Sequence, residues 1–352
     1  MMLDFNIVTL HKANNYGAVL QAFALKTFLD NLGYPAGVYD ARQLSAPADS
    51  SLRGRLIQCA KKTDQVIHKK TLALRQKKFQ SFVREYLNCN RSMDCRAFVA
   101  GSDQVWNPIV YNPDFFLEFV PEHIKRVSYA ASLGVSELQE RYWETYRIAL
   151  SRFDAISVRE NQGRDAIKKI LPDRDIRVHP DPTLLLTKEQ WTRASEKGTN
   201  EIEGDYVLLY ILHIPSNIHA LCKWIRKQFG ARLVLIDPGF IQAAKIPHDI
   251  IVRDVGPLDF LALMRDSKAV VTTSFHGSAF SILFQKEFYP VVNPGFPSRM
   301  QNLLTHFGLS PVSEQQKEFV RLNYDWEKVL MGLEEDRTIA ADYFREIAGC
   351  TQ

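Results

Sequence analysis

Several features are missing from this chain, and each absence removes a class of function. No window approaches about 18 consecutive apolar residues, so no transmembrane helix is expected. Met1 to Leu10 lacks a basic stretch followed by a long apolar core and reads as a first β-strand, not a signal peptide. The five cysteines, Cys59, Cys89, Cys95, Cys222 and Cys350, contain no C-x-x-C pair. An odd, scattered set argues against a disulfide framework and a structural zinc site, and for a reducing, cytoplasmic compartment. There is no G-x-G-x-x-G, Walker loop, H-E-x-x-H or G-x-S-x-G. Neither a metal site nor an organic cofactor is therefore expected. The net charge of +4 is too small to imply a nucleic-acid partner.

What is present fits two globular domains. The chain has 352 residues, 46% of them hydrophobic and 24% charged. Its charge is uneven: residues 51–87 carry ten Lys or Arg against Asp64 and Glu85. A basic helical face of this kind is solvated or rests on anionic lipid, here the inner face of a cell membrane.

Apolar β-type runs alternate with helical periodicity. Phe5–Leu10 is followed by the polar turn Asn14-Asn15-Tyr16-Gly17 and a helix from Ala18 to Leu32, which Gly33 closes. Strands follow at 38–40, 96–101, 127–132 and 155–158, and Ile176-Arg177-Val178 leads to the turn at 179–182. A second set runs through strands 206–211, 233–236, 269–272 and 288–292, with helices at 216–229 and 258–266 and terminal helices over 325–348. The pattern predicts an α/β protein of two Rossmann-like domains facing a cleft. Expected boundaries are 1–195 for an N-terminal, acceptor-side domain that includes the basic segment, and 205–325 for a C-terminal, donor-side domain. The stretch 195–205 serves as linker, and helices over 326–352 pack back on the first domain.

The candidate site residues lie where strands end. Thr272-Thr273-Ser274-Phe275-His276-Gly277 leads from a strand into a helix, so His276 and Gly277 sit at a helix N-terminus, a ready place for an anion. His276 can bind phosphate or pass a proton, and Gly277 would let a ligand approach the backbone. Arg159, just past strand 155–158, is a cation at the front of a helix, where a ligand carboxylate or phosphate would offset the unfavourable dipole. Arg299, behind a potential cap at Ser298, repeats that placement. Asp103, after Gly101-Ser102, suits a general base for a hydroxyl nucleophile. Asp181, between two prolines, suits a turn. Asn14, Asn15, Tyr16 and Gly17 could line the cleft and bond sugar hydroxyls.

Six segments in order resemble the polysaccharide pyruvyl transferase family: Asn15–Ala22, Gly101–Asn107, Ser157–Glu160, Asp181–Leu185, Ser274–Gly277 and Pro297–Arg299. The resemblance implies a fold like that of the B-type glycosyltransferases. It implies transfer of a pyruvyl group from phosphoenolpyruvate, a co-substrate, to two hydroxyls of a sugar or lipid-linked oligosaccharide acceptor, giving a ketal. By the same resemblance Arg159 and His276 hold the donor's carboxylate and phosphate; their positions add Ser274, Gly277 and Arg299 to the donor side, the chemistry suits His276 as acid and Asp103 as base, and Asn14, Asn15, Tyr16 and Gly17 are expected to face the acceptor. The family's pattern has an arginine two residues before the histidine; here that place is Ser274, so Arg299 or Lys286 is expected to supply the missing cation. A nucleotide-sugar-dependent glycosyltransferase would share the fold, and a non-catalytic carbohydrate-binding protein is the third reading.

Overall fold

Short runs that are apolar at nearly every position cannot leave one face in water, so they become strands covered on both sides. The computed structural model describes residues 3–42, 66–237, 239–292 and 297–349. Residues 51–65 of the basic segment, Cys59, Cys350 and the side chain of Ser298 lie outside the described residues.

The chain opens with β1 (Leu3–Val8), α1 (Tyr16–Asn31), β2 (Ala36–Tyr39), α2 (Lys69–Tyr86), β3 (Cys89–Asn90), β4 (Cys95–Ala100) and β5 (Lys125–Ser128). It continues through α3 (Trp143–Ser151), β6 (Ile156–Val158), α4 (Asn161–Ile170), β7 (Ile176–Val178) and α5 (Lys188–Ser195). Then come β8 (Tyr206–Tyr210), α6 (Ile218–Phe229), β9 (Arg232–Ile236), β10 (Ile250–Val252), α7 (Pro257–Asp266), β11 (Ala269–Thr272) and α8 (Phe275–Leu283). The last elements are β12 (Glu287–Val292), α9 (Pro297–His306), β13 (Val312–Ser313) and α10 (Trp326–Ala348).

Two compact units result. The first gathers the described residues within 1–46, 82–186 and 330–352. Its five-stranded sheet has the order β3-β2-β1-β4-β5 with every pairing parallel. Isolated bridges Val127↔Ala155 and Ala131↔Val158 carry the array on to the parallel pair β6-β7. Trp106, Phe116, Tyr146 and Phe153 fill its core. Tyr343 of α10 donates its hydroxyl to the Ser128 carbonyl at 2.7 Å, and Phe344 meets Phe5 edge-on. The second unit gathers the described residues within 47–81 and 187–329. Its sheet, β10-β9-β8-β11-β12-β13, is parallel throughout, and Leu209, Leu235, Tyr289 and Val271 lie in its core.

The sequence pattern and the structure differ at several points. Helix α1 starts at Tyr16, because Asn15 caps it by accepting from Ala18 N at 3.3 Å; Tyr16 and Gly17 are therefore helical, not a turn. Its other end closes as expected: Gly33 at φ +86° completes a Schellman pair, Gly33 N to Asp30 O and Tyr34 N to Leu29 O, both 3.0 Å. Strand β5 stops at Ser128, short of Ser132, since Ala130 turns left-handed at φ 49°. Residues 195–205 do not form a loose linker. A capping box, Thr187 with Gln190, opens α5 ahead of them. Gly198 presses on Leu258, where a Cβ would meet the carbonyl at 2.2 Å, and Thr199 N donates to Asp259 Oδ1 at 2.9 Å. The boundary accordingly falls after Leu186, and the described residues of 66–81 go with the second unit. Helices α3 and α5 and strand β10 add to the expected set.

Candidate functional site

In the first unit Asp103, Arg159 and Asp181 follow the carboxyl ends of the parallel strands β4, β6 and β7, the edge where open α/β sheets bind their ligands. Arg159 follows β6. Its guanidinium donates from Nε to Glu160 Oε1 at 2.8 Å and from Nη1 to Asp181 Oδ2 at 2.7 Å. The sequence suggested a cation waiting for an anion. The folded chain leaves the Arg159 side chain only 3% exposed, between carboxylates 6% and 0% exposed. Burial works against its charge, but Glu160, Asp181 and Asp103 outweigh that effect and hold it firmly protonated.

The two carboxylates are themselves tied down. Asp181 Oδ2 also accepts the Ser102 hydroxyl at 3.0 Å, and its Oδ1 accepts the Thr183 amide and hydroxyl at 3.0 and 2.8 Å. The turn role foreseen for Asp181 is real, since it caps the 3₁₀ turn Pro182–Leu185, but the same side chain also pairs with Arg159. Glu160 Oε1 accepts the Ser132 hydroxyl at 3.0 Å.

Asp103 lies between these two serines in space. Its backbone is left-handed at φ 67°, a conformation that L residues adopt at a cost. Its carbonyl accepts Val105 N at 2.8 Å and Ser132 N at 2.9 Å, and it bridges to Ala131. The residue is 7% exposed, and its carboxylate makes none of the hydrogen bonds found among the described residues.

His179, after β7, is a structural neighbour. Its Nδ1 meets the Ser157 hydroxyl at 2.6 Å and its ring stacks on Tyr129. Burial, helped by the Arg177 charge, pulls its pKa down to about 4, so it is neutral. Of the residues expected to face the acceptor, Asn14 and Asn15 are exposed, whereas Tyr16 and Gly17 are buried in the first turn of α1.

In the second unit, β11 runs into α8 as the sequence indicated. Ser274 is the N-cap, its hydroxyl accepting from Gly277 N at 3.3 Å. His276 stands in the first helical turn, 9% exposed. Thr272 Oγ1 donates to Tyr210 O at 2.8 Å and accepts Ser274 N at 3.0 Å, while Thr273 Oγ1 accepts Leu212 N at 2.8 Å. Gly277 also has a packing reason. A Cβ there would lie 2.2 Å from Thr272 Oγ1 and 3.0 Å from Tyr210 Cδ1, so the glycine admits the protein's own strand. Arg299 lies in the first turn of α9. Lys286 is committed elsewhere, donating to Ser267 O at 2.8 Å.

Sequence reasoning missed Ser102, Ser132 and Glu160. Their one signal was position, a serine or carboxylate directly behind a strand, and it does not specify partners far along the chain. Among the described residues no group of three or more His, Cys, Asp or Glu is arranged to hold a metal ion, and no described helix is long and apolar enough to cross a membrane.

The sequence model of the family described as polysaccharide pyruvyl transferase matches residues 15–294. No curated protein matches the chain. Among solved structures, a Listeria monocytogenes protein assigned as a UDP-N-acetylglucosamine 2-epimerase is similar with a TM-score of 0.50 and 10% identity, over 100% of this chain and 92% of that one. UDP-GlcNAc 2-epimerase from Methanocaldococcus jannaschii gives 0.49 and 13% over 95% and 92%, and Arabidopsis thaliana UGT89C1 complexed with UDP-L-rhamnose gives 0.49 and 12% over 100% of both chains. At such identities the Listeria likeness is one of fold, that of the B-type glycosyltransferases.

Proposed function

The chain belongs to the polysaccharide pyruvyl transferase family, and on that premise we propose that it moves a pyruvyl group from phosphoenolpyruvate to two hydroxyls of a sugar. The acceptor would be a cell-surface polysaccharide or its lipid-linked precursor. The observation that carries this reading is the capped start of α8, where His276 sits in the first turn of a helix that follows a strand end. The positive end of the helix dipole and an imidazole suit a small polyanion. Arg299, in the first turn of α9, supplies the cation for which the family uses the position of Ser274.

The chemistry gives these residues distinct tasks. Protonated His276 gives its proton to the donor's methylene carbon, which becomes a methyl group, and C2 becomes electrophilic. One sugar hydroxyl adds to C2 and yields its proton to Asp103. The second hydroxyl forms the other C–O bond as the C–O bond to phosphate breaks, and its proton leaves with the phosphate. The proton on Asp103 returns through solvent to His276, so ketal and inorganic phosphate are the products. The exposed amides of Asn14 and Asn15 bond acceptor hydroxyls.

A lipid-linked acceptor accords with the exposed side of α2. Lys70, Lys77 and Arg84 recur at seven-residue spacing on one line of the helix, with Lys69 nearby. Val66, Ile67 and Leu74 are 77%, 56% and 43% exposed beside them. Cations with apolar anchors fit an anionic membrane surface.

The experiment is phosphate release from phosphoenolpyruvate with oligosaccharide acceptors, run beside thermal shifts with phosphoenolpyruvate and with UDP. Acceptor-dependent release and a donor-induced shift, both lost in His276→Ala, are expected. A shift with UDP and none with phosphoenolpyruvate would replace this reading with a nucleotide-sugar glycosyltransferase.

A further inference from the structure

We propose that His213, oriented by Glu314, is a further phosphate-binding residue of the donor site at the start of α8. The inference rests on the reading of that helix start as the place of the donor, and it adds a group where Ser274 supplies no cation. His213 lies in the loop that leaves the carboxyl end of β8, the strand next to β11. Tyr210, the last residue of β8, is the register partner of Thr272, the last residue of β11. Beyond them the two strand exits are tied together. Thr273 N donates to Tyr210 O at 3.3 Å, and Thr273 Oγ1 accepts Leu212 N at 2.8 Å and His213 N at 3.3 Å. The backbone of His213 is thereby fixed to the residue directly before the cap of α8, and His276 stands in the first turn of that helix.

The same loop reaches across the ends of β11 and β12 to β13, which lies three strand spacings, about 14 Å, from β8 in the sheet. Ser216 Oγ donates to Glu314 O and Asn217 Nδ2 to Ser313 O, both at 2.9 Å. These bonds hold the residue behind β13 over the carboxyl edge, where Glu314 Oε1 meets His213 Nε2 at 3.1 Å. The two side chains are 29% and 17% exposed, so the pair is sheltered yet open on one side. A carboxylate only accepts, so the hydrogen on Nε2 is committed to Glu314 and the ring meets any other group through Nδ1. Nδ1 makes no hydrogen bond among the described residues. With a proton there, the imidazolium gives one N–H to the carboxylate and the other to a phosphate oxygen, and both bonds are charge-assisted.

The test measures binding, not turnover. Phosphoenolpyruvate, inorganic phosphate and UDP are titrated by calorimetry into wild type, His213→Ala, Glu314→Ala and the double variant. Phosphoenolpyruvate and inorganic phosphate are expected to bind each single variant about tenfold more weakly, as for the loss of one charge-assisted hydrogen bond. The double variant should lose less than about twofold more, because the two side chains act as one unit. Affinities within about twofold of wild type in both single variants would overturn the proposal. The ring is also read directly in the intact protein. With 15N-labelled histidine, the Nδ1 signal of His213, assigned by its loss in His213→Ala, should move when phosphate is added. A signal that stays in place at saturation would overturn the proposal as well. A wild type that bound inorganic phosphate or UDP but not phosphoenolpyruvate would overturn the choice of donor and leave His213 a phosphate residue. A wild type that bound none of the three would overturn both.

Discussion

Arg159 and Asp181 meet through a 2.7 Å hydrogen bond with side chains 3% and 0% exposed, so neither charge has water to fall back on. Arg159→Met keeps the length of the side chain and leaves Glu160 and Asp181 buried without their cation. Removing one partner of such a cluster costs about 3–5 kcal/mol. A fall in Tm of about 10 °C is expected by calorimetry for a protein of this size. A change within 1 °C would mean the pairs contribute nothing to the fold.

Asp103 separates stability from function. Its left-handed backbone disfavours a side chain by about 1 kcal/mol, a cost that glycine escapes. Asp103→Gly should therefore melt at or slightly above the wild-type temperature while losing phosphate release. A destabilised variant that retained turnover would remove Asp103 from the chemistry.

Ser274 offers a separable test of the helix start. Ser274→Ala loses the cap and should cost about 1 kcal/mol. Ser274→Asp restores a good cap but adds a negative charge beside the donor. Stability near wild type, with the phosphoenolpyruvate-induced thermal shift abolished, is expected. A full shift in Ser274→Asp would move the donor away from α8.

His179 makes stability depend on pH. Its folded pKa is about 4 against an ordinary value of 6.5, so the unfolded chain binds more protons between those values. Stability is then fully present above pH 6.5 and is lost as pH falls toward 4, on the order of 3 kcal/mol in all. His179→Gln keeps a partner for Ser157 and should flatten this part of the stability curve, as urea titrations at pH 7, 5.5 and 4.5 would reveal. Equal slopes in variant and wild type would assign the pH dependence to other groups.

The exposed line on α2 predicts sedimentation with vesicles containing anionic phospholipid and little with purely zwitterionic ones. The triple change Lys70→Glu, Lys77→Glu and Arg84→Glu should weaken partitioning about a hundredfold, at about 1 kcal/mol for each cation near the surface. Binding that ignores lipid charge and salt would leave this face merely solvated.

How much of this was legible in the residues depends on range. Strands such as Tyr206–Tyr210 and Ala269–Thr272 are apolar at nearly every position, and burial on both faces follows from that. Gly33 announces the end of α1 because few other residues accept its dihedral angle. The helix start at Ser274 is equally local, since a cap involves residues three apart. The junction between units was not legible, because a polar, glycine-containing stretch such as 195–205 looks like a linker until Asp259 and Leu258 are brought against it.

The sequence by itself determined the order of the main strands and helices, the placement of Asp103, Arg159 and His276 behind strands, and the family. Those properties arise from periodicity and from motifs a few residues long. Only the tertiary structure decided what the residues do there. It turned Arg159 from an exposed cation into the centre of a buried cluster, gave Gly277 the task of admitting Thr272, and strained Asp103 between Ser102 and Ser132. Each of these outcomes depends on burial and on partners distant along the chain, and desolvation sets the worth of a charge only once folding has removed the water.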